Sequence, residues 1–391
     1  MFQKLALGCI TAAILGASGA AVAQTPVKIG FITTLSTPAG YIGQDARDAF
    51  NLAIKEGDGK LGGVPVQLEV EDDGLKPGSA KQIVEKMLQD KIKLFTGIIF
   101  SNVLTAVAPT VLQQNAFYIS NNAGPSPFAG AKCNKNYFVA SFENTSPHAA
   151  GGVAVNQLGY KRVALVAPNY QAGREALEGF KRDYKGKVVA EIYTKLGQSD
   201  FSVELARLRE LAPDAIYEFE PGGAGINFAK QYANSGLSKT IPMVLPVFSM
   251  DLRMIKATGS AAKGLYTVAL WSPELDNPQN RAFVAAFQKA YGRLPTQYAA
   301  EAYDTANLIA SGLHAVKGDL SKADDFRAAL YKADFKSVRG FFKFNTNHHP
   351  IQNYYLMQIK PNAQGELLPM VVRKVLSESK DIFAAECPLN R

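Results

Sequence analysis

The sequence predicts an α/β protein of two lobes, each a doubly wound parallel sheet with helices on both faces. The chain has 391 residues, of which 47% are hydrophobic and 19% charged; this composition suits two or three domains with large cores. β-rich runs alternate with helical patterns in two successive βαβαβ series, and such alternation is typical of parallel sheets. Right-handed crossovers then make each series a doubly wound lobe.

The charge pattern argues against a nucleic-acid-binding protein. The net charge is +8, and Lys and Arg mostly alternate with Asp and Glu, as in KRDYKGK and RLRE. A nucleic-acid footprint needs a clustered basic stripe instead. We therefore expect a solvated surface and no nucleic-acid partner.

Residues 1–23 predict a signal peptide. Lys4 provides a short positive region, and residues 5–15 form an apolar core that is too short to span a bilayer. Residues 21–23 read Ala-Val-Ala, a small-residue cleavage signal, so we expect cleavage after Ala23 and export to the periplasm. A buried N-terminal helix is the alternative.

Export changes the interpretation of the cysteines. Once residues 1–23 are removed, Cys133 and Cys387 remain. An even pair in an oxidising compartment favours a disulfide, with two separate buried thiols as the alternative. Neither cysteine has the neighbouring Cys or His of a metal site, so no metal is expected.

The elements of the first series follow from the spacing of apolar residues. Residues 41–55 and 78–89 carry apolar side chains at helical spacing, and a further helix is predicted over 103–114. Short β-rich runs around them predict strands over residues 27–33, 65–73, 92–100 and 116–120.

The second series repeats the pattern after a loop rich in glycine and proline at 121–130. Helices are predicted over residues 173–184, 201–211 and 224–235. Strands are predicted over residues 162–168, 187–193, 214–220, 241–248 and 264–271.

The last third of the chain adds helices and returns to strands. Two long helical patterns cover residues 280–291 and 297–316, and a third helix is predicted after Ser321. Two β-rich runs, over 353–360 and 367–375, close the chain.

The chain lacks the signatures of common catalytic sites. Its histidines, His148, His314, His348 and His349, do not fall in HExxH spacing, and there is no GxSxG elbow or phosphate-binding GxxxxGK[ST] loop. The glycine cluster at 222–225 lacks the third glycine of a dinucleotide fingerprint. For an exported two-lobed protein without these signatures we expect a binding function, with no catalytic residue and no cofactor.

The order and spacing of several segments resemble the periplasmic solute-binding proteins of ABC-type importers, in the branched-chain amino acid (Leu/Ile/Val) family. The resemblance runs from Val27 to about Leu376. The segments are VKIGFITTLSTPAGYIGQDARDAFNLAI, VQLEVEDD, GIIFSN, AFYISNNAG, KRVALVAPNYQAG, DFSVELARLRELAPDAIYEFEPGGAG and YAAEAYDTANLIASGL.

This resemblance implies the type I periplasmic binding protein fold, in which three hinge crossings join two lobes that hold a solute between them. We expect crossings near Phe142, Trp271 and Asn345. Lobe 1 would then comprise residues 24–142 plus 272–345, and lobe 2 residues 143–271 plus 346–391, including the C-terminal tail.

The resemblance places a carboxylate site at the end of the predicted strand 92–100. Ser101 and Asn102 open the next helix, where a hydroxyl and free helix amides attract a carboxylate, and the matching serine of the family binds one. An ordinary helix cap is the alternative for Ser101. The positions matching Ala123 and Gly124 supply backbone amides and a threonine hydroxyl, which Gly124 lacks.

Acidic residues that the family uses for the ligand's amino group are missing here. The expected glutamate falls in the stretch 245–248, Leu-Pro-Val-Phe, and a second acidic position falls near Pro147. A buried ammonium without a carboxylate partner would be costly. We therefore infer a ligand with a carboxylate and no α-amino group. Glu220, the nearby acid, either accepts a hydrogen bond from a hydroxyl or faces solvent.

The remaining pocket candidates are mostly aromatic, and they suit the branch of the family that takes up aromatic acids such as benzoate-like or cinnamate-like compounds. The alternative is that half of them are core residues, since aromatic residues make up 10% of the chain. The candidates are Tyr41, Ile42, Phe100, Phe142, Tyr170, Phe219 and Phe248.

The sequence thus predicts a monomeric periplasmic receptor that closes on a small aromatic or apolar carboxylate and delivers it to ABC permease subunits in the inner membrane. A Leu/Ile/Val-type amino-acid receptor is the main alternative. An exported enzyme and a receptor domain for signalling or gene control are further alternatives.

Overall fold

Two sheets with mainly parallel strands organise residues 25–390, the part of the chain that this computed structural model describes, and they confirm the predicted fold class. The strands are β1 (Val27–Thr33), β2 (Lys60–Leu61), β3 (Val64–Asp72), β4 (Leu94–Thr96), β5 (Phe117–Ser120), β6 (Tyr137–Val139), β7 (Arg162–Pro168), β8 (Lys187–Thr194), β9 (Ala215–Glu218), β10 (Met243–Pro246), β11 (Tyr266–Ala269), β12 (Lys343–Phe344), β13 (Pro350–Pro361) and β14 (Leu367–Ser379).

Helices cover the faces of both sheets. The α-helices are α1 (Gly40–Glu56), α2 (Pro77–Gln89), α3 (Ser101–Gln113), α4 (Thr145–Leu158), α5 (Gln171–Asp183), α6 (Ser202–Leu211), α7 (Gly223–Asn234), α8 (Leu252–Thr258), α9 (Pro278–Tyr291), α10 (Gln297–Val316) and α11 (Ala323–Lys332). Short 3₁₀ turns lie at Ser126–Phe128, Leu237–Lys239, Val247–Ser249, Gly259–Ala262, Ala384–Glu386 and Pro388–Asn390.

Both sheets are built around parallel strands. The six-stranded first sheet runs in the order β2-β3-β1-β4-β5-β6, and β1 pairs in parallel with both β3 and β4. The eight-stranded second sheet runs in the order β12-β13-β11-β10-β9-β7-β8, with β14 paired to β13. Strands β7 to β11 pair in parallel, whereas β13 runs antiparallel to β11 and to β14.

The chain passes between the sheets three times: after β6, after β11 and before β12. After β11, helix α10 returns to the first sheet and packs against α1. The lobe boundaries given above, near Phe142, Trp271 and Asn345, stay predictions at the level of single residues.

The predicted strand over 92–100 is too long, and the difference shapes the edge of the first sheet. The strand β4 ends at Thr96 because Gly97 has a φ of +108° and donates its amide to Asn121 Oδ1 at 3.0 Å. The next amide, that of Ile98, donates to Tyr118 OH at 3.1 Å instead of to a strand. Phe100 and Ser101 therefore lie beyond the carboxyl edge of the sheet.

Helix α4 is absent from the pattern-based prediction. Its sequence, TSPHAAGGVAVNQL, contains a proline and two glycines and lacks a clear apolar stripe. The glycines are needed for packing: a Cβ at Gly151 would lie 2.7 Å from the Tyr217 ring, and one at Gly152 would lie 2.5 Å from Phe180 O. Close contacts with β9 and α5 thus form a helix that periodicity does not indicate.

The predicted disulfide is confirmed. Cys133, in the loop between β5 and β6, is bonded to Cys387, with their Cα atoms 5.5 Å apart. The C-terminal end of the chain follows β14 of the second sheet. The disulfide links it to a loop of the first sheet.

Within residues 25–390, none of the helices combines the length and the apolar character needed to cross a membrane. The predicted signal peptide, residues 1–23, lies outside the described residues, and cleavage after Ala23 stays a prediction.

Candidate functional site

A cavity of about 40 Å³ lies between the carboxyl ends of the two sheets. Ligands bind at this position in open parallel sheets. Loops and helices that follow strands of both sheets contribute to the wall, so that contacts with both lobes are available in one place. The wall consists of Ile42, Ile99, Phe100, Ser101, Asn122, Ala123, Phe142, Asn144, His148, Tyr170, Ala172, Phe219, Pro221, Phe248 and Tyr298.

The predicted aromatic residues of the wall form a connected group of rings. The ring centroids of Phe142 and Phe248 are 4.7 Å apart, and those of Phe219 and Phe248 are 6.4 Å apart. Tyr170 lies 6.4 Å from Phe219 and 6.5 Å from Phe100. These separations are in the range favoured by aromatic pairs. The rings thus surround the cavity with flat apolar faces that belong to both lobes.

Ser101 is the first residue of α3, and its hydroxyl is oriented by a neighbour. Its Oγ accepts a hydrogen bond from Asn144 Nδ2 at 2.9 Å, so the hydroxyl proton is free to be donated into the cavity. The amides of Val103 and Leu104 bond to Phe100 O. Among residues 25–390, no acceptor is found for the amides of Ser101 and Asn102, as usual in a first helical turn.

Asn144, which the sequence pattern did not indicate, holds this arrangement in place. Its Nδ2 also donates to Glu175 Oε2 at 2.6 Å, and its Oδ1 accepts the Gly124 amide at 3.0 Å. All of its side-chain hydrogens are therefore used, which fixes the orientation of the amide. A polar residue that precedes a helix beyond a strand end was the available signal.

Two predicted ligand-contacting residues, Gly124 and Asn102, are not on the cavity wall. The Gly124 amide is taken by Asn144, and a Cβ at this position would lie 1.8 Å from Phe142 O. Gly124 is therefore required by packing. Asn102 lies beside Ser101 with a buried Oδ1 that has no partner among the described residues.

Tyr41 lies at the mouth of the cleft and not on the cavity wall. Its hydroxyl donates to Asp251 Oδ2 at 2.6 Å, which joins α1 to the start of α8. Burial raises the pKa of Asp251 to about 6. Nearby, Arg253 Nη1 lies 3.0 Å from Asp45 Oδ1 and forms a second polar contact between the lobes.

Glycines allow the lobes to approach each other at the same mouth. A Cβ at Gly222 would lie 2.9 Å from the Ala39 Cβ, and one at Gly223 would lie 3.3 Å from the Pro38 Cβ. The loop after β1 and the loop after β9 are thus in direct contact. The two loops can come this close because neither glycine carries a side chain.

Glu220 is fully buried at 0% exposure, and the expectation that it could face solvent is wrong. Its Oε1 accepts a hydrogen bond from Thr194 Oγ1, and its amide donates to Ser249 Oγ at 2.8 Å. The carboxyl therefore lies behind the wall and not on it. Burial raises the pKa of Glu220 to about 8.

None of the residues on the wall carries a carboxylate. Glu175 lies one layer behind it and accepts hydrogen bonds from Asn144, Gln171 and the Ser126 amide; burial raises its pKa. Glu143 is engaged by Ser126 and by residues at the start of α4, and burial raises its pKa to about 7. An ammonium group in the cavity would therefore meet no carboxylate on the wall.

His148 and Tyr298 are wall residues that the sequence did not indicate. His148 Nδ1 lies 2.8 Å from Tyr217 OH, and burial lowers the pKa of His148 to about 3, so the ring is neutral. Tyr298, from α10, donates to Phe248 O at 3.4 Å. No group of three or more His, Cys, Asp or Glu within residues 25–390 could hold a metal ion.

Solved structures share this architecture. A solute-binding protein of an ABC transporter from R. palustris, solved in complex with benzoate, has a TM-score of 0.88 and 32% identity and covers 93% of this chain and 100% of its own. A solute-binding protein from Rhodopseudomonas palustris BisB5, in complex with 3,4-dihydroxybenzoic acid, has a TM-score of 0.84 and 27% identity over 91% and 99% of the two chains.

The curated relatives agree with the family suggested by the sequence. A Leu/Ile/Val-binding protein homologue from Brucella melitensis biotype 1 is 27% identical over 378 residues, which are 93% of this chain and 94% of the relative. Residues 26–366 match the family described as periplasmic binding protein. The match covers most of the chain, and the protein therefore belongs to the periplasmic binding protein family.

Proposed function

We propose that this protein is the solute-binding receptor of an ABC importer and that its solute is a small aromatic carboxylate. The observation that carries the proposal is the composition of the cavity wall. Aromatic rings from both lobes surround a space in which Ser101 and the start of α3 are the donors for an anion. The benzoate and 3,4-dihydroxybenzoic acid bound by the two relatives from Rhodopseudomonas support the same ligand class.

The carboxylate of such a ligand would be held without a cationic side chain. No Lys or Arg lies on the wall, so the Ser101 hydroxyl and the free amides of α3 carry the interaction. A helix N-terminus has a partial positive charge and N–H groups that point outward, which suits an anion. The rings would then pack on the apolar part of the solute.

An amino-acid solute is the second candidate, because the Brucella relative is named a Leu/Ile/Val-binding protein homologue. Against it stands the buried position of Glu143, Glu175 and Glu220 behind the wall, where each already has hydrogen-bond partners. A buried ammonium without a carboxylate is unfavourable. The aromatic carboxylate is therefore the better match.

We further infer that the receptor acts as a monomer in the periplasm and transfers its solute to permease subunits in the inner membrane. The proposal contains binding and closure but no chemical step. Contact of the wall with both lobes supports it, since a solute that touches both lobes only in the closed form shifts the population toward closure.

Calorimetric titration of the purified protein tests the ligand class. We expect micromolar or tighter binding of benzoate, 4-hydroxybenzoate or cinnamate, and no binding of leucine or valine. Preorganised rings and a carboxylate site favour the first group, whereas the ammonium finds no partner in the second. Binding of leucine together with no binding of any aromatic acid would overturn the proposal.

Substitution of Ser101 tests the carboxylate site. Ser101→Ala removes a donor to the charged group and should weaken benzoate binding by about 1.5–3 kcal/mol, which is roughly 10- to 150-fold in Kd. The matched control is Ser202→Ala, because Ser202 is the exposed first residue of α6. Equal affinities for Ser101→Ala and the control would rule out this role of Ser101.

A larger side chain at Gly223 tests closure. In the closed arrangement Gly223→Leu would clash with Pro38, at a cost of about 1–3 kcal/mol by analogy with overpacked cores. We expect weaker benzoate binding and loss of the ligand-induced decrease in the radius of gyration measured by small-angle scattering. Gly78→Leu is the control, since Gly78 also lies in a first helical turn but has open space around it. Equal compaction of the two variants would show that closure does not bring Gly223 against Pro38, and no compaction of the wild-type protein with benzoate would contradict closure itself.

A further inference from the structure

His148 is a polar residue on the cavity wall that takes no part in the proposed carboxylate site. His148 is only 2% exposed, and its ring lies edge-on to Phe219 with centroids 5.0 Å apart. Its Nδ1 is paired with Tyr217 OH. The hydrogen bond found for the His148 ring within residues 25–390 is the one at Nδ1, and because His148 lines the cavity, Nε2 is the nitrogen available to a solute.

The pairing with Tyr217 fixes the position of the imidazole proton. Tyr217 is buried at the centre of the second lobe, and His148 is the hydrogen-bond partner of its hydroxyl among the described residues. A buried hydroxyl donates its proton where an acceptor is available, so Nδ1 is the acceptor and the ring proton sits on Nε2. The ring stays neutral because burial disfavours its charged form. His148 is therefore a neutral Nε2–H donor.

The start of helix α4 connects this donor to the carboxylate site. Asn144, which precedes the helix and holds Ser101, is four residues from His148. Residues four apart lie on one face of a helix, about 6 Å apart along the axis at a rise of about 1.5 Å per residue. A solute with its carboxylate at Ser101 would thus meet His148 on the wall of the same cavity.

We propose that His148 is a specificity-determining residue that selects aromatic carboxylates with an oxygen, such as a phenolic hydroxyl, on the ring. The inference rests on the proposed function. Tyr217 acts as a positioning residue, since it determines which nitrogen of His148 carries the proton. An aromatic acid without the oxygen leaves the Nε2–H unpaired in the filled cavity and binds less tightly.

Paired titrations of 4-hydroxybenzoate and benzoate test the proposal. The wild-type protein should bind 4-hydroxybenzoate roughly tenfold more tightly. His148→Phe, which keeps an aromatic ring but removes the donor, should reduce this ratio to near one. His314→Phe is the matched control on the exposed side of α10 and should keep the wild-type ratio.

The outcomes separate this inference from the proposed function. Benzoate binding without a preference for 4-hydroxybenzoate in the wild type, or a preference that survives His148→Phe, would overturn the role of His148 alone. No binding of either acid to the wild type would overturn both.

Nitrogen-15 NMR of the wild-type imidazoles gives a test that does not depend on a variant folding. We expect His148 to carry its proton on Nε2 at neutral pH and the Nε2–H signal to shift more with 4-hydroxybenzoate than with benzoate. A proton on Nδ1, or equal shifts with the two acids, would contradict the proposal.

Discussion

A carboxylate enclosed by aromatic rings loses its hydration and must regain hydrogen bonds from the protein, because no cationic side chain lies on the cavity wall. This constraint explains the network around Ser101. Glu175 accepts from Asn144, Asn144 donates to Ser101, and the Ser101 proton is left for the solute. A hydroxyl whose lone pair is already used acts as a donor, which suits an anion.

The same network connects the lobes. Ser101 and Gly124 follow strands of the first sheet, whereas Glu175 belongs to α5 of the second lobe, and Asn144 bonds to all three near the first crossing. A solute bound at Ser101, as proposed, would therefore sit where the lobes are already coupled. At the opposite side, the Tyr41–Asp251 hydrogen bond and the close approach of Gly223 to Pro38 close the mouth.

Much of this site follows from the sequence, because strand ends of parallel sheets meet at one edge. Ser101, Ala123 and the rings at 100, 142, 170, 219 and 248 follow strands and do line the cavity. Asn144 and His148 could not be found in this way, since α4 has no apolar periodicity to reveal it. Tyr298 reaches the wall from α10 through tertiary packing alone.

The position of Glu220 shows that a strand end predicted from sequence does not determine which of its side chains faces the cavity. Alternate residues of an extended segment point to opposite sides. Phe219 therefore faces the cavity, while Glu218 and Glu220 lie behind it beside Ser249 and Thr194. The sequence indicates the end of the strand but does not show which of two neighbouring side chains faces the solute.

A crystal structure of the complex with 4-hydroxybenzoate would test the central claim most directly. The account predicts a carboxylate oxygen at about 2.5–3.0 Å from Ser101 Oγ, with the ring between Phe219 and Phe142 and the phenolic oxygen beside His148 Nε2. A carboxylate bound away from Ser101, or a ring outside this cavity, would contradict it.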